Sequence, residues 1–204
     1  MKRTRFAFAL ILTLCVLGCP GPVAAQDAGT IEINLGYAKT WTDWAGREPL
    51  GGGPAVGIAY WRAASPDLSW GLEGAFQDLG DLDYSFVDPY TLTPGREKLE
   101  ANVLRVNPAF RVRIGRPNGP NFLAQVGAGL YHVAWKAHLE LGFITDFDDS
   151  DNEFGFNAGA GVSLPLGETK RLNVLGIYHV VGGDNAFAED YNHAEGRVAL
   201  GIGL

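Results

Sequence analysis

The chain has two cysteines, Cys15 and Cys19, both in its first 25 residues. Removal of that stretch would leave no thiol, which excludes a disulfide-stapled secreted domain. Beyond residue 25, no apolar run reaches the roughly 20 residues that a membrane-crossing helix needs. Basic residues are scarce: 16 Lys and Arg stand against 23 Asp and Glu, a formal charge of −7. That balance argues against nucleic acid, whose phosphates call for a basic patch. Convincing helical periodicity is missing as well. If this chain enters a membrane, it must do so as a closed barrel, because only helices and closed barrels satisfy their backbone groups in lipid.

Residues 1–25 read as a secretory signal peptide. Lys2, Arg3 and Arg5 form a positive start, Phe6 to Leu17 form an apolar run, and Val23-Ala24-Ala25 offers a cut ahead of Gln26. The competing reading is a lipoprotein box, Val16-Leu17-Gly18-Cys19, with Cys19 acylated. Leu17 is bulky for that position, and the Ala-Ala site competes with it. Cleavage after Ala25 removes three basic residues and no acid, moving the formal charge from −7 to −10. Residues 26–204, about 180 in number, make one domain.

What the chain has in plenty is alternation. In its last residues Val198, Leu200, Ile202 and Leu204 alternate with Ala199, Gly201 and Gly203. A strand sends successive side chains to opposite faces, so this stretch has one apolar and one nearly bare wall. It is expected to be the closing strand of a barrel. The same period recurs about eight times. Ile31, Ile33, Leu35 and Tyr37 oppose Glu32, Asn34 and Gly36; Val56, Ile58 and Tyr60 oppose Gly57, Ala59 and Trp61. Leu68, Trp70, Leu72 and Phe76 oppose Gly71, Glu73 and Ala75; Leu104, Val106, Phe110 and Val112 oppose Arg105, Asn107 and Arg111. Two glycine-rich strands follow, around Phe122–Leu130 and Phe154–Leu164, and a less regular one around Leu172–Val180.

Connections alternate in length. Ala63–Asp67, Gly115–Pro120 and Pro165–Lys170 are short, while Thr42–Gly53, Asp78–Leu99, Trp135–Asp151 and Val181–Asn192 are long. Short periplasmic turns and long outer loops characterise a transmembrane barrel. Charge follows the same split. Arg62, Arg113, Arg116, Lys170 and Arg171 crowd the short-turn end, and acids dominate the long connections.

The polar face decides which way the apolar face points. A soluble lipocalin-like barrel has the same period with its apolar wall inward, but its water-facing exterior should be rich in Lys, Thr and Glu. Here that face is Gly, Ala, Asn and Ser with a few Arg and Glu, which suits the crowded interior of an eight-stranded barrel. The predicted fold is therefore all-β, an eight-stranded antiparallel transmembrane up-and-down β-barrel. Tyr37, Tyr60, Trp70, Phe76, Phe110, Phe122, Phe154 and Tyr178 are predicted to form aromatic girdles at the membrane boundaries. Glu32, Glu73, Glu195, Arg105, Arg111 and Arg197 share the inward parity. Isolated charges are costly there, so Arg–carboxylate pairing across a plugged lumen is expected.

The segments Val126-Gly127-Ala128-Gly129-Leu130-Tyr131 and Phe154-Gly155-Phe156-Asn157-Ala158-Gly159-Ala160-Gly161-Val162, with the terminal strand, resemble the OmpA/OmpX-like outer-membrane β-barrel superfamily. The resemblance covers nearly the whole chain after residue 25 and implies an outer-membrane location among lipid and lipopolysaccharide. It also implies insertion by the barrel assembly machinery. Members usually end in Phe or Trp; Leu204 departs from that, while Val198, Leu200 and Ile202 fill the other apolar positions.

Some small barrels modify lipid A, so the histidines matter. His179 follows Tyr178 near the end of strand seven, where the deacylase PagL carries a His-x-Ser pair. Here the residue two beyond is Val181, so a serine nucleophile is missing. His132 and His138 lie in or near the third outer loop and His193 in the fourth, none with metal-ligand spacing. Asp146, Asp148, Asp149 and Asp151 offer a weak divalent-cation candidate in the third loop, without the glycine and spaced glutamate of a calcium loop. Trp41, Trp44, Trp135 and Phe143 could contact lipid or ligand. Alternation running on from Val133 to Phe143 predicts a hairpin that projects outward, with edges open to pairing. The expected role is structural or surface-interacting, by a monomer without cofactor. A narrow passive pore and a lipid A enzyme are the alternatives.

Overall fold

Eight strands account for nearly all of the described chain: β1 (Thr30–Thr40), β2 (Gly53–Ala63), β3 (Leu68–Val87), β4 (Pro94–Gly115), β5 (Asn121–Glu140), β6 (Ile144–Pro165), β7 (Lys170–Val181) and β8 (His193–Gly203). The computed structural model describes residues 29–40, 50–116, 119–141, 144–182 and 192–204. The expected leader with both cysteines, and Trp41, Trp44 and Phe143, lie outside the described residues. Each strand pairs antiparallel with the next, and β8 returns to β1 over Thr30–Thr40, closing the ring. Closure leaves no strand edge at membrane depth, where water is absent to satisfy it.

The alternating residues divide between two environments. Leu35, Ile58 and Val126 on the outer wall are 62%, 59% and 57% exposed, while Glu73 and Arg105 inside are 1% and 0% exposed. The apolar outer positions of β5 run over about nine residues, Phe122 to Leu130. At about 3.3 Å per residue and a tilt near 40°, that covers about 23 Å of bilayer, close to the apolar band of such barrels. The hydrocarbon groups face outward, and the barrel is an integral membrane architecture. Among the described residues, no helix is long and apolar enough to cross a membrane.

The strands fall into two length classes. β1, β2, β7 and β8 have 11 or 12 residues, whereas β3 to β6 have 20 to 22. Two of the expected long loops are therefore largely strand. The β3–β4 connection shrinks from Asp78–Leu99 to Asp88–Thr93, and the β5–β6 connection to residues 141–143. The cause is a change of solvent. Above the apolar band both faces of the hairpins leave lipid, so the outer face turns polar: Leu104 and Val106 give way to Asn102, Glu100, Lys98 and Arg96 along β4. The ladder continues, but its apolar period does not.

A bulge between Asp78 and Gly80 marks this boundary on β3. Gly80 has φ 84° there, and a Cβ would meet the Gly52 amide nitrogen at 2.4 Å. Inside, the packing is more apolar than an all-polar lumen. Leu79, Leu99, Val103, Val133 and Trp135 pack at the outer end, above the charged layer. Leu123, Leu175 and Ile177 form a second cluster beside that layer, where Leu175 pairs with Arg197 and Ile177 with Glu195.

A charge on the lipid wall is expected to act by depth. Val126→Arg, at mid-band, should cost about 2–4 kcal/mol, and Ser150→Arg, above the band, about 0–1 kcal/mol. Urea titrations in phospholipid vesicles measure both; equal costs would contradict the assigned band.

Candidate functional site

The lumen is built from single inward positions contributed by successive strands. β1 supplies Glu32; β3, Glu73 and Gln77; β4, Arg105 and Arg111; β5, Gln125 and Tyr131; and β7, Asn173 and His179. β8 adds His193, Glu195 and Arg197, and all of these are buried. Glycine makes the space. A Cβ at Gly71 would meet the Trp61 ring at 2.7 Å, and one at Gly155 would meet the Tyr131 ring at 2.7 Å. Both aromatics are thereby seated inside the barrel rather than in its wall.

Glu73 is central. It binds Arg105, and its two oxygens accept from Arg197 Nη1 and Nη2 at 2.6 and 3.0 Å. Arg197 also donates from Nε to Glu195 Oε1 at 2.8 Å, while Arg105 Nη2 reaches Glu195 Oε2 at 3.2 Å. Gln77 donates to the same carboxylate at 2.7 Å. Toward the short-turn end, Arg111 donates to Glu32 at 2.5 Å and lies 3.9 Å over the Trp61 ring. Trp61 and Asn173 complete the Glu32 carboxylate at 3.0 and 2.6 Å. Gln125 links the two halves, accepting from Arg111 at 2.9 Å and donating to Glu73 at 3.3 Å.

All six charges expected in the lumen are thus brought together, three guanidiniums against three carboxylates. Charge-assisted bonds of this kind are the strong ones, and desolvation makes each partner depend on the others. A neutral half completes the network. Above Glu195, the Tyr131 hydroxyl meets His179 Nδ1 at 3.0 Å, and the His179 and His193 rings stack at 4.4 Å. Asn157 donates to the Tyr131 hydroxyl, and the Asn107 side-chain oxygen accepts from that hydroxyl and from Arg105. Inward parity of Tyr131, His179, Gln77 and Gln125 was the available signal. His193 opens β8 rather than lying in a loop.

The eight aromatic candidates all carry outward parity and split by height. Tyr60, Trp70, Phe110 and Phe122 lie toward the short-turn ends of their strands, Tyr37 and Tyr178 toward the outer ends, and Phe76 and Phe154 midway along the longer β3 and β6. The four aspartates of the cation candidate do not form a loop. They lie on β6, where alternation sends Asp146 and Asp148 to one face and Asp149 and Asp151 to the other. Among the described residues, no group of three acids, histidines or cysteines could hold a metal ion. Asp146 has another role. It accepts from His138 Nδ1 at 2.5 Å, with Glu140 at 3.3 Å from Nε2. The hydrogen bond to Asp146, with help from Glu140, holds the His138 pKa above its ordinary value.

Two outcomes follow from this geometry. Glu73→Gln leaves Arg105 and Arg197 to share Glu195 and is expected to cost about 3–5 kcal/mol; a loss below about 1 kcal/mol in vesicle unfolding would show that the network contributes little. For His138, the folded state holds its proton more tightly than the unfolded chain does. That contribution is complete below the ordinary histidine value and disappears as pH rises through the elevated one. NMR titration should give a midpoint above that of free histidine, falling in Asp146→Asn; an unchanged midpoint contradicts the pair.

Among solved structures, the crystal structure of Neisserial surface protein A is similar at a TM-score of 0.56 and 13% identity, covering 90% of this chain and all of that one. The N-terminal β-barrel domain of Pseudomonas aeruginosa OprF gives a TM-score of 0.47 at 13% identity, covering 88% of this chain and all of the other. No curated protein matches the sequence. The model of the family described as "Outer membrane protein beta-barrel domain" matches residues 11–195. With that match across most of its length and an eight-stranded closed ring of the same architecture, the chain belongs to the outer membrane protein β-barrel family and is an outer-membrane protein.

Proposed function

We propose that this protein is a structural, non-conducting and non-enzymatic barrel that presents an acidic strand-built surface to partners outside the cell. The observation that carries this reading is the one-sided extension of β3 to β6 beyond the apolar band. Among the described residues, no strand pairs with the outer edge of β6 from Ile144 to Phe154, or with β3 beyond the two carbonyls of Leu79 and Asp81. The β6 edge is acidic, through Asp146, Asp148, Asp149 and Asp151, whereas Asp81 and Asp83 on β3 are already paired with Lys98 and Arg96. An acidic open edge favours an extended basic partner added as a further strand. At the β3–β4 tip, Tyr90 is 95% exposed and Leu92 76%, apolar anchors in reach of the same partner.

The closed charge network supports a plugged lumen over a solute pore. Against catalysis, His179 is fully buried between Tyr131 and His193, with Val181 where a serine nucleophile would be needed. The barrel acts as a monomer among lipid and lipopolysaccharide, delivered by a cleaved leader and inserted by the barrel assembly machinery.

A variant with the hairpins cut back to the band, joining β3 to β4 near Gly80 and β5 to β6 near Val133, tests the reading. It is expected to fold and insert, yet to lose saturable binding of an extended lysine-rich peptide that the intact protein in nanodiscs retains. Equal binding by both would overturn the surface role. In planar bilayers the intact protein is expected to give no channel steps; regular steps would favour the pore.

A further inference from the structure

We propose that the short-turn mouth of the barrel is a binding site for a soluble anion of the phosphate or carboxylate class, held between Arg113 and Arg171. With the long extension outside, this mouth faces the periplasm. The five basic residues of this end divide by strand parity. Arg62 and Lys170 sit on the lipid-facing side and Arg116 just beyond β4, all exposed, where phospholipid headgroups can meet them. Arg113 and Arg171 share the inward parity of Arg111 and Asn173, and so cannot serve the lipid.

Instead they line a cavity of about 730 Å³, walled also by Thr30, Thr169 and Asn173, with Glu168 and Leu204 among its lining. The cavity is blind. Its inner end is the Glu32 carboxylate, already filled by Arg111, Asn173 and Trp61, so that Glu32 has little charge left to repel an entering anion. Arg171 is fixed in place, donating from Nε to Ser163 Oγ at 2.8 Å and from Nη2 to the Gly119 carbonyl at 3.1 Å. Arg113 is different. Among the described residues its side chain makes no hydrogen bond or ion pair, and its Nε is shut off from solvent without an acceptor. The like charge of Arg111 opposes its own, and Glu32 and Asp67 act on it from a distance without bonding it.

A partly desolvated guanidinium with an unanswered donor, beside a second one already anchored, suits a planar or tetrahedral oxyanion that takes two donors at once. The remainder of the protein is strongly acidic, so such an anion would be drawn to this end alone.

Calorimetric titration of pyrophosphate, and separately of citrate, into the protein refolded in a non-ionic detergent tests the site. One saturable binding event is expected, weakened about tenfold or more by Arg113→Gln. Arg171→Gln should act likewise, with the gel shift of the folded barrel confirming that each variant is intact. The triple variant Arg62→Gln, Arg116→Gln, Lys170→Gln separates the lipid source: it should bind normally, and nanodiscs of anionic phospholipid should not block the titration. Absence of saturable binding, equal affinity in Arg113→Gln, or loss only in the triple variant would each overturn the proposal.

Discussion

Lipid offers no hydrogen-bond partner, and everything in this molecule answers to that constraint. A strand entering the hydrocarbon must give each amide and carbonyl a neighbour, which a ring of eight does and an open sheet does not. Once the ring is closed, alternation leaves no freedom: one set of side chains meets acyl chains and the other is enclosed. Leu35, Ile58 and Val126 sit on the first side, Glu73, Arg105 and Arg197 on the second.

Enclosure then sets the chemistry of the lumen. Eight strands leave a space that side chains fill, and any charge inside loses its water. Three arginines and three glutamates answer one another around Glu73 and Glu32, joined by Gln125. Trp61 and Tyr131 lie across glycines that hold no side chain to push them out. The apolar cluster above keeps water from the layer on the outer side, and burial of each partner raises the cost of losing one.

Much of this was legible in the sequence because the period-2 signal is strongest where one face meets lipid. The strand cores, the ring of eight, the inward charges and the outward aromatics all lie in that zone. Legibility failed above it. The stretches Leu79–Val87 and Thr145–Asn152 are strands with water on their outer face, so Asp81, Asp83, Asp146 and Asp148 read as loop acids rather than as rungs of a ladder. The bulge at Asp78–Gly80 also shifts parity by one residue, hiding Leu82 and Phe86 as inward positions. Within the lumen, Tyr131 and His193 were hard to assign because a neutral polar residue of inward parity announces neither partner nor role. Trp61 was visible by parity, but its stacking on Arg111 depends on two strands that are not neighbours.

The same division of faces separates the ends of the molecule. Outside, four strands rise on one side with an acidic open edge on β6; at the opposite mouth, a small chamber lined by Arg113 and Arg171 opens under the Glu32 layer. The orientation of the two walls underlies both features, and tryptophan fluorescence tests it directly. Of two single-tryptophan variants, one retaining Trp70 and the other Trp61, the first should be strongly quenched by lipids brominated along the acyl chain and the second nearly unaffected. Quenching of Trp61 with Trp70 spared would turn the barrel inside out and contradict the account.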